Sequence, residues 1–139
     1  MSWATGLAVA AGVLLLATAV GLWRRRKDGR LARKRGEQVR LTGDDLSHAL
    51  GSRLTLVQFS SAFCQPCRAN RQVLGHVASS AEGVVHVDID AESNLPLVRR
   101  LNVTRTPTTF VLDAGGVVLR RAVGPLRLAE VREVVRDFA

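Results

Sequence analysis

Between Ser2 and Trp23 no side chain carries a charge, and from Leu7 to Leu22 the chain is almost entirely Ala, Val, Leu and Gly. At about 1.5 Å of rise per residue, some twenty such residues cross a hydrocarbon layer of about 30 Å. A buried core helix is a poor alternative for a stretch this long and this free of charge. Residues 1–23 are therefore expected to form a single transmembrane anchor. Trp3 and Trp23 stand at its two ends, where amphipathic rings favour the headgroup region. Gly6 and Ala10 form a small-xxx-small pair able to pack two such helices together.

The charge pattern bears on the second question, which side the rest of the chain occupies. Arg24, Arg25, Arg26, Lys27, Arg30, Arg33, Lys34 and Arg35, set against Asp28, account for +7 of the net +8. The basicity is thus confined to twelve residues after the apolar run, which suits an anionic membrane surface better than a nucleic-acid groove. No basic patch interleaved with aromatics supports nucleic-acid binding. A cleaved signal peptide carries its positive charge before the apolar stretch, and here the order is reversed. By the positive-inside rule residues 24–139 are expected in the cytoplasm and the N-terminus outside.

Residues 24–36 read as a basic juxtamembrane linker, extending helically as far as Gly36, and residues 37–139 as one globular domain, an ordinary domain size. A short strand is expected over Gln38–Leu41, then a helix capped by Thr42, beginning Gly43, Asp44, Asp45 and ending near Leu50. Arg53–Phe59 is rich in β-branched and aromatic residues and reads as a central strand; Arg68–Ser79 carries Val73, Leu74 and Val77 at helical spacing. Val84–Ile89 gives another strand and Asn94–Leu101 a short helix. Thr108–Leu112 and Val117–Val123 form a hairpin about Asp113-Ala114-Gly115-Gly116. A last helix follows Gly124-Pro125, with Leu126, Leu128, Val131, Val134, Val135 and Phe138 toward the core. The order β-α-β-α-β-α-β-β-α implies an α/β fold with a mixed sheet, parallel strands joined by right-handed crossovers and an antiparallel hairpin at the end.

The only cysteines, Cys64 and Cys67, lie in CQPC between the central strand and its helix. Two ligands three positions apart do not complete a zinc or iron-sulfur site, and no second CxxC exists. A structural disulfide framework uses several bridges closing long loops. What remains is a redox pair, or two small buried residues that happen to be close. A thiol is a nucleophile as thiolate, and the N–H groups and dipole of a helix N-terminus favour that charge at Cys64. Cys67, about one turn further on, is placed to attack the mixed disulfide that Cys64 forms. Pro66 is tolerated in the first turn, where its missing N–H is not needed.

LVQFSSAFCQPC resembles the strand and active-site motif of the thioredoxin family, VVHVDID its next strand, and RTPTTFVLDAGG with AVGP its proline loop and closing hairpin. The resemblance spans essentially all of residues 37–139. It implies a thioredoxin-like fold and a thiol-disulfide oxidoreductase working as a protein-disulfide reductase or isomerase. It further implies a cis Pro107 packed against the cysteines, a Thr106 whose backbone pairs with substrate peptide, and a Gly124 allowing close approach. The sequence departs from the family at Phe63 and Ser60, where tryptophans are usual, and at Gln65-Pro66, where Gly-Pro is usual. Gln58 stands in place of a buried aspartate that helps deprotonate the resolving thiol, and an amide is no base near neutral pH. His86 matches a family lysine, and its ordinary pKa of about 6.5 makes it a candidate proton acceptor. His48 and His76 fall on expected helices with no evident partner.

Two other functional classes are consistent with these residues: a redox-inactive, membrane-tethered binding module, and capture of a soft ion such as Cu(I) by the two thiols. Reversed topology would instead give an extracytoplasmic thiol-disulfide exchanger. For the leading reading the expected partners are protein disulfides, the membrane and an upstream reductase as electron donor. The chain shows no dinucleotide fingerprint, so no cofactor and no metal of its own is expected.

Overall fold

The computed structural model describes residues 2–27, 32–33 and 38–138. Helix α1 (Trp3–Lys27) is one uninterrupted helix whose apolar side chains, Leu14, Leu15 and Leu16 among them, are exposed. It is long and apolar enough to cross a membrane. Of the basic segment expected as a linker, the helix takes residues up to Lys27, and Ala32–Arg33 form a two-residue strand, β1, rather than a continuation of the helix. The stop expected at Gly36 lies outside the described residues.

A five-stranded mixed sheet follows, in the order β1-β5-β4-β2-β3, with β2 (Leu54–Ser60), β3 (Val84–Asp90), β4 (Thr108–Asp113) and β5 (Val118–Val123). Among the described strands only β2 and β3 run parallel; β4 lies antiparallel to both β2 and β5, and β1 antiparallel to β5. The parallel pair is joined through α3 (Gln65–Ser80). Helices α2 (Gly43–Leu46), α4 (Leu95–Arg100) and α5 (Leu128–Asp137) complete the order.

The strand expected over Gln38–Leu41 is reduced to a bridge. Arg40 pairs antiparallel with Val117, the Val118 N–H donates to the Val39 carbonyl at 2.9 Å, and the Leu41 N–H to Gly116 at 2.9 Å. The segment therefore runs beside the hairpin and leaves β3 at the opposite edge of the described sheet. Burial of Leu41 holds it there, and Gly116 makes the approach possible. Gly116 has φ +82°, and a Cβ on it would stand 1.9 Å from the Leu41 carbonyl oxygen.

Helix α2 is shorter than expected. Thr42 caps it reciprocally: its hydroxyl accepts from the Asp45 N–H at 3.2 Å, and Asp45 accepts from the Thr42 N–H at 2.8 Å. Ser47 then turns left-handed (φ 51°) and ends the helix four residues before the expected limit at Leu50. Arg100 grips the Asp45 carboxylate at 2.7 Å, and this contact with the Thr42 N–H holds Asp45 down to a pKa of about 2.

Every residue of β2 is buried, because strands pair with it on both sides and helices cover both faces. Strand alternation divides the core. Val57 and Phe59 join Val87, Ile89, Phe110 and Leu112 with Leu46, Leu97 and Leu101 of the α2 and α4 side. Leu54 and Leu56 join Leu74, Val77, Val131 and Val135 of α3 and α5. Phe59 meets Phe110 edge-to-face at 5.7 Å between ring centroids. This two-sided packing presents the β2–α3 junction, and the two cysteines on it, at one end of the sheet.

Candidate active site

Cys64 is the N-cap of α3, and the helix begins on Gln65-Pro66. The Cys67 N–H donates to the Cys64 sulfur at 3.2 Å, the bond that an N-cap side chain makes. Negative charge arising on that sulfur would meet the free N–H groups of the helix. Cys64 and Cys67 are joined as a disulfide. The two differ in access: Cys64 is half-buried, while Cys67 is 1% exposed beneath the first turn. Only the first can be met by a large partner.

The loop before β4 carries the other expected site residues. The Thr106–Pro107 peptide is cis, Pro107 is buried and Thr106 is half-buried. The Thr106 and Ser61 hydroxyls share a hydrogen bond of 3.1 Å, linking this loop to the β2–α3 turn three residues before Cys64. The Gly124 N–H donates to the Pro107 carbonyl at 2.8 Å, and Gly124 takes φ +92°, a conformation that favours glycine.

Beside Cys64 a cavity of about 370 Å³ opens, lined by Ser60, Ser61, Cys64, Arg68, Arg71 and Asp88 among others. Its floor is a polar relay unforeseen from the sequence. Asp88 accepts from the Ser60 hydroxyl at 2.6 Å and from the Arg71 Nε at 2.6 Å. Phe63, on the other flank of Cys64, is 99% exposed. Aromatic side chains are enriched at protein–protein interfaces relative to the rest of the surface.

Gln58 is fully buried and donates from Nε2 to the Cys67 carbonyl at 2.9 Å. Its Oε1 accepts from Asn70, which also reaches Thr109 and the backbone of Leu126. His86 lies one strand out, in register with Leu56, while Asp88 is in register with Gln58. The His86 Nε2 is buried without a hydrogen-bond partner, and His86 bonds neither cysteine. Burial lowers its pKa from 6.5; Asp88 opposes the shift and Arg71 adds to it.

That gives a prediction about stability. A depressed folded pKa means that just below pH 6.5 the unfolded chain binds a proton that the folded chain does not. Stability should therefore fall as pH drops through this window and level off below the folded pKa. Urea midpoints measured between pH 7.5 and pH 5 should decline, and His86→Gln should flatten that part of the slope; an unchanged slope would show that His86 does not titrate this way.

His76, expected without a partner, lies within 3.3 Å of Arg132; His48 falls just beyond the end of α2, its Nδ1 2.9 Å from the Ala49 carbonyl. Among the described residues no three His, Cys, Asp or Glu side chains gather as a metal-binding group.

A sequence model described as thioredoxin matches residues 38–137. The chain belongs to the thioredoxin family. Thioredoxin H2-1 of Oryza sativa subsp. japonica is 30% identical over 78 residues, covering 56% of this chain and 56% of that one. Thioredoxin H2 of Arabidopsis thaliana is 32% identical over 73 residues, covering 52% and 54%. The matched segment thus spans little more than half the length of each of these curated thioredoxins. The crystal structure of chloroplastic thioredoxin z superposes with a TM-score of 0.59 at 28% identity, over 76% of this chain and 97% of that one. The thioredoxin fold accounts for the mixed sheet flanked by helices and for the strand-turn-helix that carries the cysteines.

Proposed function

We propose that this thioredoxin-family protein is a membrane-anchored thiol-disulfide oxidoreductase that reduces or reshuffles disulfides of other proteins through Cys64 and Cys67. The observation that carries the proposal is the asymmetry of the pair: an accessible sulfur at a helix N-terminus bonded to a buried one. Cys64 attacks the substrate disulfide, and Cys67 then attacks Cys64 to release the substrate thiol. Thr106, tied to Ser61 near Cys64 and followed by the cis Pro107, offers backbone groups with which a substrate strand pairs, supplying affinity with little selectivity. His86, which has its Nε2 buried on β3 and bonds neither cysteine, is the candidate acceptor for the proton of the resolving thiol. Electrons arrive from an upstream reductase.

Helix α1 is the anchor, and the Arg24–Lys27 cluster in its last turn supports a cytoplasmic domain under the positive-inside rule. In that reducing compartment the pair rests as thiols, which favours reduction over disulfide formation. The domain stays within reach of proteins at the membrane.

Labelling with an impermeant maleimide in sealed cells, after an impermeant reductant, tests the orientation. Cys64 should react only after permeabilisation. Reaction in intact cells would place the domain outside and turn the reading toward oxidative folding or maturation of exported proteins.

A further inference from the structure

The inner stripe of α3 is Cys67, Asn70, Leu74 and Val77, and Asn70 is its one amide, 1% exposed. Such a group is retained in a core only with its hydrogen bonds made. The Asn70 Oδ1 accepts from the Leu126 N–H at 2.8 Å; its Nδ2 donates to the Thr109 hydroxyl at 3.0 Å and to the Gln58 Oε1 at 3.2 Å. The Gln58 Nε2 donates in turn to the Cys67 carbonyl at 2.9 Å.

The two ends of this series are backbone groups of fixed polarity. The Leu126 N–H only donates and the Cys67 carbonyl only accepts. Each amide between them therefore has one orientation that keeps every bond; turning either sets oxygen against oxygen. Gln58 is thus held with its amino group toward Cys67 and its oxygen turned to Asn70. It joins the first turn of α3 to β2, and Asn70 extends the tie to β4 and to the segment before α5.

We infer that Asn70 is a positioning residue for the resolving cysteine, acting through Gln58 to fix Cys67 for its attack on Cys64. The inference rests on the exchange reading above. In that step a reduced protein has opened a substrate disulfide, one sulfur now bonded to Cys64 and the other released as a thiol. The Cys67 thiol gives up its proton to water, and the thiolate attacks the Cys64 sulfur. The Cys64–Cys67 bond forms, the Cys64–substrate bond breaks, and the departing thiolate takes a proton from water. The protein has lost two electrons and the substrate has gained them. The first attack depends on Cys64 alone, so the Asn70–Gln58 tie bears on the second.

The test uses the reduced full-length chain in detergent micelles and a peptide carrying an intermolecular disulfide. Acid quenching and mass spectrometry follow the Cys64–peptide adduct as it forms and decays. Asn70→Ala and Gln58→Leu should each slow decay about tenfold or more, since small misplacement of a reacting group is costly, and leave formation within about twofold. The double variant should be no slower than either single one, because both break the same series. Thr109→Val, which removes a bond to Asn70 but leaves Leu126–Asn70–Gln58–Cys67 unbroken, should resolve at the wild-type rate.

Should Asn70→Ala not fold, Gln58→Leu, similar in volume, carries the comparison with Thr109→Val. Wild-type decay in Gln58→Leu, equal slowing by Thr109→Val, or formation and decay falling together would overturn the inference. A wild-type chain that forms no adduct at all would overturn the exchange reading, and this inference with it.

Discussion

Cys64→Ser is expected to bring reduction of insulin disulfides by the full-length chain, supplied with dithiothreitol, down to the rate of dithiothreitol alone. The alcohol does not ionise near neutral pH, so the helix N-terminus has no anion to stabilise, and Cys67, 1% exposed, cannot reach a protein disulfide in its place. Cys67→Ser should behave differently. It retains the first attack and lacks the second, so turnover falls while a covalent adduct accumulates. Equal turbidity curves for wild type and Cys64→Ser would instead favour a thioredoxin-like binding module that has lost its redox role.

The largest effect on stability is expected at Phe59, fully buried on the α2 and α4 side of the sheet and packed edge-to-face on Phe110. Phe59→Ala removes most of a buried aromatic from a site walled by β3 and β4, which cannot collapse to fill the space. The expected cost is about 3–5 kcal/mol, out of a total of about 5–15 kcal/mol for a domain of this kind. Urea unfolding of the detergent-solubilised chain, read on sheet amides by hydrogen exchange, should show a lower midpoint. Leu95→Ala, at a side chain 49% exposed, should stay within about 0.5 kcal/mol of wild type. A similar midpoint for Phe59→Ala would mean that the two-sided core is not the seat of stability.

Much of this architecture is legible in the sequence because local patterns carry it. Leu54–Ser60 and Thr108–Asp113 announce themselves by β-branched and aromatic content, the hairpin by Asp113-Ala114-Gly115-Gly116, and the site by two cysteines between strand and helix. The placement of Gln38–Leu41 is not legible. Which edge a short strand joins depends on Leu41 finding the core and on Gly116 lacking a Cβ, a contact between residues far apart in the chain. The early end of α2 turns on Ser47 going left-handed, which no periodicity signals.

The same division holds at the site. The cysteines and Pro107 stand in motifs, whereas Asn70 acts on partners 12, 39 and 56 residues away. One clue was present: an asparagine three positions after Cys67 and four before Leu74, on the inward stripe of an amphipathic helix. Ser60, Asp88 and Arg71 are hidden in the same way. A serine in place of the expected tryptophan suggests lost surface, and only the folded chain brings Asp88, from the neighbouring strand, onto its hydroxyl.

The account turns on Cys64 opening disulfides of other proteins before Cys67 closes the cycle, and trapping in cells tests that order most directly. Full-length Cys67→Ser would be expressed, the cells quenched in acid, thiols alkylated, and the protein followed on non-reducing gels. The account predicts higher-mass species that collapse on reduction, present in Cys67→Ser and missing when Cys64→Ser is combined with it. The same pattern in both variants, or none in either, would contradict it.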